Sequence, residues 1–154
     1  MTNTGETQQT ASASALWQSF RAAPYVSLAT FRKSGVSVPT AIWAAPDQDH
    51  LYAFSAGQAG KVKRLRNSAR AQLAVCDVRG KVLGPWLDVR AFVITEPTEK
   101  AVALQAMRKK YGWQMRLTDF SSRLTGRFRQ RAYLRIEPVP EAEPETESTE
   151  HAPT

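Results

Sequence analysis

The chain has 154 residues, 42% of them hydrophobic, which is room for one domain with a real core and little for a second. Its net charge of +7 is uneven: from Pro138 onward it holds Glu141, Glu143, Glu145, Glu147 and Glu150 without a Lys or Arg, leaving residues 1–137 at +12. One cysteine, Cys76, and two histidines, His50 and His151, exclude an intrachain disulfide framework and a Cys-rich zinc site and argue against a His-based metal centre.

The polar start, MTNTGETQQTASAS, lacks a cationic, then apolar, secretory pattern, and no apolar run approaches a membrane span. The expected compartment is the cytoplasm, with no membrane partner. Residues 1–13 are expected to be disordered. Ser14 can cap a short helix through Ala23, with Leu16, Trp17 and Phe20 on one face and Pro24 as its stop. Tyr25–Phe31 reads as a strand, Arg32–Gly35 as a turn, and Val36–Ala45 as a second strand. Pro39 puts that strand at an edge or a bulge, because proline has no N–H to give to a ladder. Pro46–His50 reads as a turn and Leu51–Ser55 as a third strand. A glycine-bearing loop then leads into a short basic helix beginning at Lys61.

Ala71–Val78 reads as a fourth strand and Val82–Thr95 as a long fifth, with a bulge at Gly84-Pro85. Pro97 starts a helix that runs to Tyr111 and stops at Gly112, with Leu104, Met107 and Tyr111 facing inward. Residues 113–126 are ambiguous. Arg127–Glu137 reads as a closing strand in which Ala132, Leu134 and Ile136 alternate with Tyr133 and Arg135. Hairpin-connected strands with a short crossover helix and a longer helix predict a small antiparallel barrel over residues 14–137. The Pro- and Glu-rich segment 138–154 predicts a disordered acidic tail.

The basic body expects an anionic partner: a phosphate-bearing cofactor, a nucleic acid or an acidic surface. The stretch from Phe54 to Arg64 has the form strand, glycine loop, basic helix. Free N–H groups and the positive end of the dipole at a helix start attract an anion, and glycine lets the backbone approach it. Lys61 and Arg64 share a helix face, and Ser55 adds a hydroxyl at the strand end. A solvated basic helix accounts for the same residues. Trp43, with Pro39, Thr40 and Ile42, suits the border of a planar ring system, and equally suits core filling. Cys76 lies in an apolar strand, as a buried small hydrophobe would. Neither histidine has a Ser or Cys nucleophile to serve, so no catalytic side chain is assigned, and chemistry here needs a cofactor.

The run Tyr25–Gly35 followed by Val38–Trp43 resembles the opening hairpin of the pyridoxamine-phosphate-oxidase-like split β-barrel superfamily. Gly60–Asn67 resembles its phosphate-binding segment, and Cys76–Gly80 with Gly84-Pro85-Trp86 its following hairpin. The combination is most similar to the branch that uses the deazaflavin coenzyme F420. The resemblance implies a mainly β split barrel and a homodimer with two cofactor sites at the subunit interface. It implies that Lys61 holds the cofactor phosphate, supported by Lys63 and Arg64. Pro39, Thr40, Ile42 and Trp43 then border the tricyclic ring, with Phe54 and Ser55 on the adjoining strand. The function it implies is hydride transfer from reduced F420 to an unsaturated or conjugated small molecule. The positive charge of Lys63, Arg66 and Arg70 favours the longer acidic tail of F420; FMN in the same fold is the alternative. No match exists to the C-terminal substrate-binding arginine and histidine of true pyridoxamine phosphate oxidases, which argues against vitamin B6 oxidation. A nucleic-acid-binding module, suggested by Arg127, Arg129, Arg131 and Arg135, ranks behind both because no recognition helix or aromatic-basic RNA signature accompanies them.

Overall fold

The computed structural model describes residues 4–57, 59–124 and 131–140. Seven antiparallel strands, β1 (Val26–Phe31), β2 (Ser37–Ile42), β3 (Ala44–Asp47), β4 (His50–Ala56), β5 (Arg70–Val75), β6 (Leu87–Val93) and β7 (Arg131–Pro138), form one sheet in the order β2-β1-β5-β6-β7-β4-β3. Its two edges, β2 and β3, are consecutive in the chain with only Trp43 between them. A sheet whose opposite edges are joined by one residue must curl round on itself, and that curl makes the barrel. The single strand expected over Val36–Ala45 is thus two strands, bent at Trp43. Pro39 lies on edge strand β2, opposite Ala29 of β1.

Strand alternation sorts the apolar side chains into two clusters. The barrel interior takes Leu28, Leu51, Leu73, Val89, Leu134 and Ile136, all buried, together with Trp17 and Phe20. Tyr52 and Tyr133, from alternate positions of β4 and β7, lie in a second cluster with Met107, Tyr111 and Met115. Helix α3 (Pro97–Tyr111) supplies that layer, packing against β3, β4 and β7. Proline at its first turn and Gly112 after it, at φ +52°, set its ends as the sequence predicts.

Several boundaries differ from expectation. Helix α1 runs Thr4–Ala22, so it begins ahead of the Ser14 cap and takes in most of the segment expected to be disordered. The turn at Pro46–His50 shrinks to Gln48-Asp49, with Gln48 at φ +52°. The fourth strand stops at Val75, and Cys76 makes only an isolated bridge to Val82. The long fifth strand reduces to Leu87–Val93, because Gly84 and Pro85 leave the ladder before it. Residues 113–124, ambiguous in the sequence, form helix α4 (Trp113–Leu124). Strand β7 starts at Arg131 and runs on through Pro138, opposite Val89, so the first residue of the expected tail still belongs to the sheet. Residues 127–130 of the expected closing strand and 141–154 of the expected tail lie outside the described residues. No helix among the described residues is long and apolar enough to cross a membrane.

Candidate functional site

Between the end of β2, β4 and the next helix lies a cavity of about 360 Å³ lined by Tyr25, Ala41, Ile42, Trp43, Phe54 and Lys61, with Val78 and Thr118 at its sides. That helix, α2 (Gly60–Asn67), follows the glycine loop and buries Val62 and Leu65, leaving Lys61 and Arg64 partly exposed. Ile42, Trp43, Phe54 and Lys61 are therefore brought together at one hollow. Pro39, Thr40, Ser55, Lys63 and Arg64 do not line it. Pro39 and Thr40 stand further along edge strand β2, Ser55 is buried opposite Ala132, and Lys63 is exposed.

Trp43 is held by packing. Its ring stacks on Tyr111 with centroids 4.7 Å apart and planes 11° from parallel. Tyr111 is fixed in turn: its hydroxyl accepts from the Ala44 N–H at 3.0 Å and lies 2.9 Å from the Pro24 carbonyl as donor. Burial pushes its phenol up to about 12. The neighbouring Lys110 donates to the carbonyls of Ala23 and Ala44 at 2.7 and 2.6 Å. Burial draws its ammonium down to about 8. These contacts pin the corner where β2 becomes β3, so the indole keeps one orientation beside the cavity.

The opposite end is electrostatic. Burial, and then the charge of Arg64, pull the Lys61 ammonium below the ordinary lysine value. The Val62 and Lys63 amides return to the Ala59 carbonyl, and the first-turn amides of Gly60 and Lys61 have no carbonyl four residues back within the helix. Arg64 donates from Nε to the buried Thr30 hydroxyl at 2.6 Å, which fastens α2 to β1. A Cβ on Gly60 would lie 2.8 Å from Arg64 Nη1, so glycine there lets the guanidinium fold back over the helix start. Two cations, a helix dipole and amide donors thus meet near one wall of the cavity. This donor set suits a phosphate, and the aromatic wall beside it suits a planar ring.

Tyr25, Ala41, Val78 and Thr118 as lining residues, Tyr111 as the support of Trp43, and Thr30 as the anchor of Arg64 were not singled out from the sequence. The inward face of Tyr111 was legible, but its partner is 68 positions away. Other expected cations go elsewhere. Arg66 lines a different cavity, and the Arg70 guanidinium sits 3.9 Å over the Phe31 ring. Arg131 bonds Asp119 at 2.7 Å and Arg135 bonds Glu99 at 2.6 Å. Those two arginines are therefore engaged within the protein, which weakens the nucleic-acid reading; Arg127 and Arg129 lie outside the described residues. Cys76 is buried, and burial with the nearby Asp77 raises its thiol, so it makes a poor nucleophile. Among the described residues no cluster of His, Cys, Asp or Glu is arranged to hold a metal.

Comparison with solved structures places the chain among proteins of varied activity. A protein of unknown function from Agrobacterium tumefaciens superposes at a TM-score of 0.61 and 19% identity, over 83% of this chain and 54% of its own. The chain thus spans about half the length of that relative. A haem storage protein from Vibrio cholerae superposes at 0.56 and 12% identity, over 84% of this chain and 89% of its own. An FAD-binding protein from Mesorhizobium loti gives 0.51 and 17%, over 84% and 87%. At these identities the likeness is one of fold, the split barrel. No curated protein matches the sequence. The family model described as pyridoxamine 5'-phosphate oxidase matches residues 14–140, the whole barrel with all the lining residues of the cavity, and the chain belongs to that family.

Proposed function

We propose that the protein is an oxidoreductase that transfers a hydride from reduced F420 to an unsaturated or conjugated organic substrate, and that the cavity beside Trp43 is its cofactor site. The observation that carries this reading is the pairing, in one hollow, of a fixed aromatic wall with a half-buried ammonium at a helix start. The bound coenzyme supplies the hydride chemistry. The chain's residues bind and orient. Lys61, with Arg64 and the first-turn amides of α2, holds the phosphate; Lys63, exposed on the same helix, adds long-range attraction. Trp43, Ile42 and Phe54 border the ring and keep water from it, with Pro39, Thr40 and Ser55 on the flanking strands. No side chain needs to bond covalently to the substrate; positioning and water exclusion carry the protein's share of the work.

The site is completed, in this proposal, by a second copy of the chain. Val78, Val82, Leu83 and Trp86, on and after the loop that follows β5, are exposed apolar side chains, and Val78 also lines the cavity. Twofold pairing over this loop covers them and closes the hollow. Light scattering of the purified protein should then give a dimer mass without added cofactor, and a monomer at micromolar concentration would count against a shared site.

FMN is the second reading. It is favoured by the placement of Arg66 and Arg70, whose charges are not gathered beside Lys61. Calorimetric titration separates the two. F420 should bind more tightly than FMN, with affinity falling as salt rises; equal or tighter FMN binding reverses the order.

A further inference from the structure

Helix α2 also walls a second cavity, of about 690 Å³, that shares no described lining residue with the first. Leu65 of α2, Phe92 of β6 and Ile94 just beyond it give that cavity an apolar lining. Arg66, Lys100 and Arg131 give it three cations, and no carboxylate is among its described lining residues. Arg131 is answered by Asp119. Among the described residues, no carboxylate lies within ion-pair distance of Arg66 or Lys100. Thr95 precedes α3 and Lys100 lies in its first turn, where Glu99 is answered by Arg135, so the positive end of that 15-residue helix faces the same region. Like charges around one hollow repel, and an anion bound there relieves the repulsion. A bare inorganic anion would satisfy the cations and leave the apolar lining wet. A ligand with both a charged head and an apolar body matches the whole wall.

We propose that this cavity is a second small-molecule site that takes an organic carboxylate with an apolar body, the carboxylate toward Arg66 and Lys100 and the body against Leu65, Phe92 and Ile94. It does not depend on which cofactor, if any, the first cavity takes.

The probe is 2-naphthoate, measured by equilibrium dialysis against the purified chain, with neutral 2-naphthalenemethanol as the comparison. One saturable site per chain is expected, with the neutral analogue at least about tenfold weaker. Lys100→Ala and Arg66→Ala should each weaken naphthoate about tenfold, the scale of a charge-assisted bond. Lys61→Ala, in the other cavity, should leave it unchanged. Lys100→Gln replaces the alanine variant if circular dichroism shows that variant unfolded. The proposal is overturned by equal binding of the neutral analogue, by no saturable binding, or by sensitivity to Lys61→Ala with indifference at Arg66 and Lys100.

Discussion

Around Trp43 the fold itself satisfies the polar groups: Tyr111 stacks under the indole and bonds the Ala44 amide, and Lys110 fills the neighbouring carbonyls. Around Lys61 the charges stay half-exposed, and Arg64 alone has an internal acceptor among the described residues, Thr30. One end of the cavity is thus built by packing and the other by charge that the protein leaves available. Disturbing the first should cost stability, and disturbing the second should cost affinity for an anion.

The largest expected effect is at the packed end. Tyr111→Ala removes a buried ring together with a hydroxyl that serves β3, and should destabilise by about 3–5 kcal/mol in denaturant unfolding. Tyr111→Phe keeps the stack but strands the buried Ala44 amide, at about 1–3 kcal/mol. If both variants unfold like the parent, Trp43 is not held from beneath and the rigid wall is lost from the account.

Next is Thr30→Val, which keeps the volume of a fully buried side chain and removes the acceptor of Arg64. Stability should fall by about 1 kcal/mol, with cofactor binding weakened a few-fold as the guanidinium loses its fixed place. An unchanged titration would separate Arg64 from the anion site.

The smallest effect is a pH dependence at the packed end. Burial lowers the folded-state value of Lys110 to about 8 from 10.5, so between these values the unfolded chain binds more protons. Stability contributed through this group therefore rises with pH from about 8 toward 10.5. Lys110 is only partly buried and bonds two carbonyls, so the gain should be no more than about 1 kcal/mol. Comparing the parent with Lys110→Met at pH 7.5 and 9.5 isolates it: the difference in melting temperature should move in the parent's favour at the higher pH. A constant difference would place Lys110 in an ordinary solvated setting.

The sequence carried the parts of this comparison unequally. In β4 and β7 each face has its own residues, Leu51 and Leu134 inside and Tyr52 and Tyr133 outside, so alternation was readable. Helix α3 was bounded by Pro97 and Gly112, which act locally. The barrel closure was not readable, because the apolar run through Trp43 contains no turn residue where the chain changes edges. Helix α4 escaped for a different reason. Trp113, Leu117 and Phe120 recur at helical spacing, but that face is exposed while Met115 and Asp119 are buried on the other, so the apolar pattern does not mark the face that meets the core. In the site, Lys61 and Trp43 were legible from local chemistry. Thr30, the anchor of Arg64, and Tyr111, the support of Trp43, act across long stretches of chain, and no local signal pairs them.

The central claim, that one end binds the cofactor phosphate while the other sets the ring, is tested most directly with Lys61→Ala, measuring affinity and turnover together. A charge-assisted bond to an anion is worth about 1.5–3 kcal/mol, so cofactor affinity should drop by roughly tenfold to over a hundredfold. Turnover at saturating cofactor should change far less, because the reacting ring is proposed to sit at the Trp43 end. Unchanged affinity, or a collapse of saturated turnover with the fold intact by circular dichroism, would contradict the account.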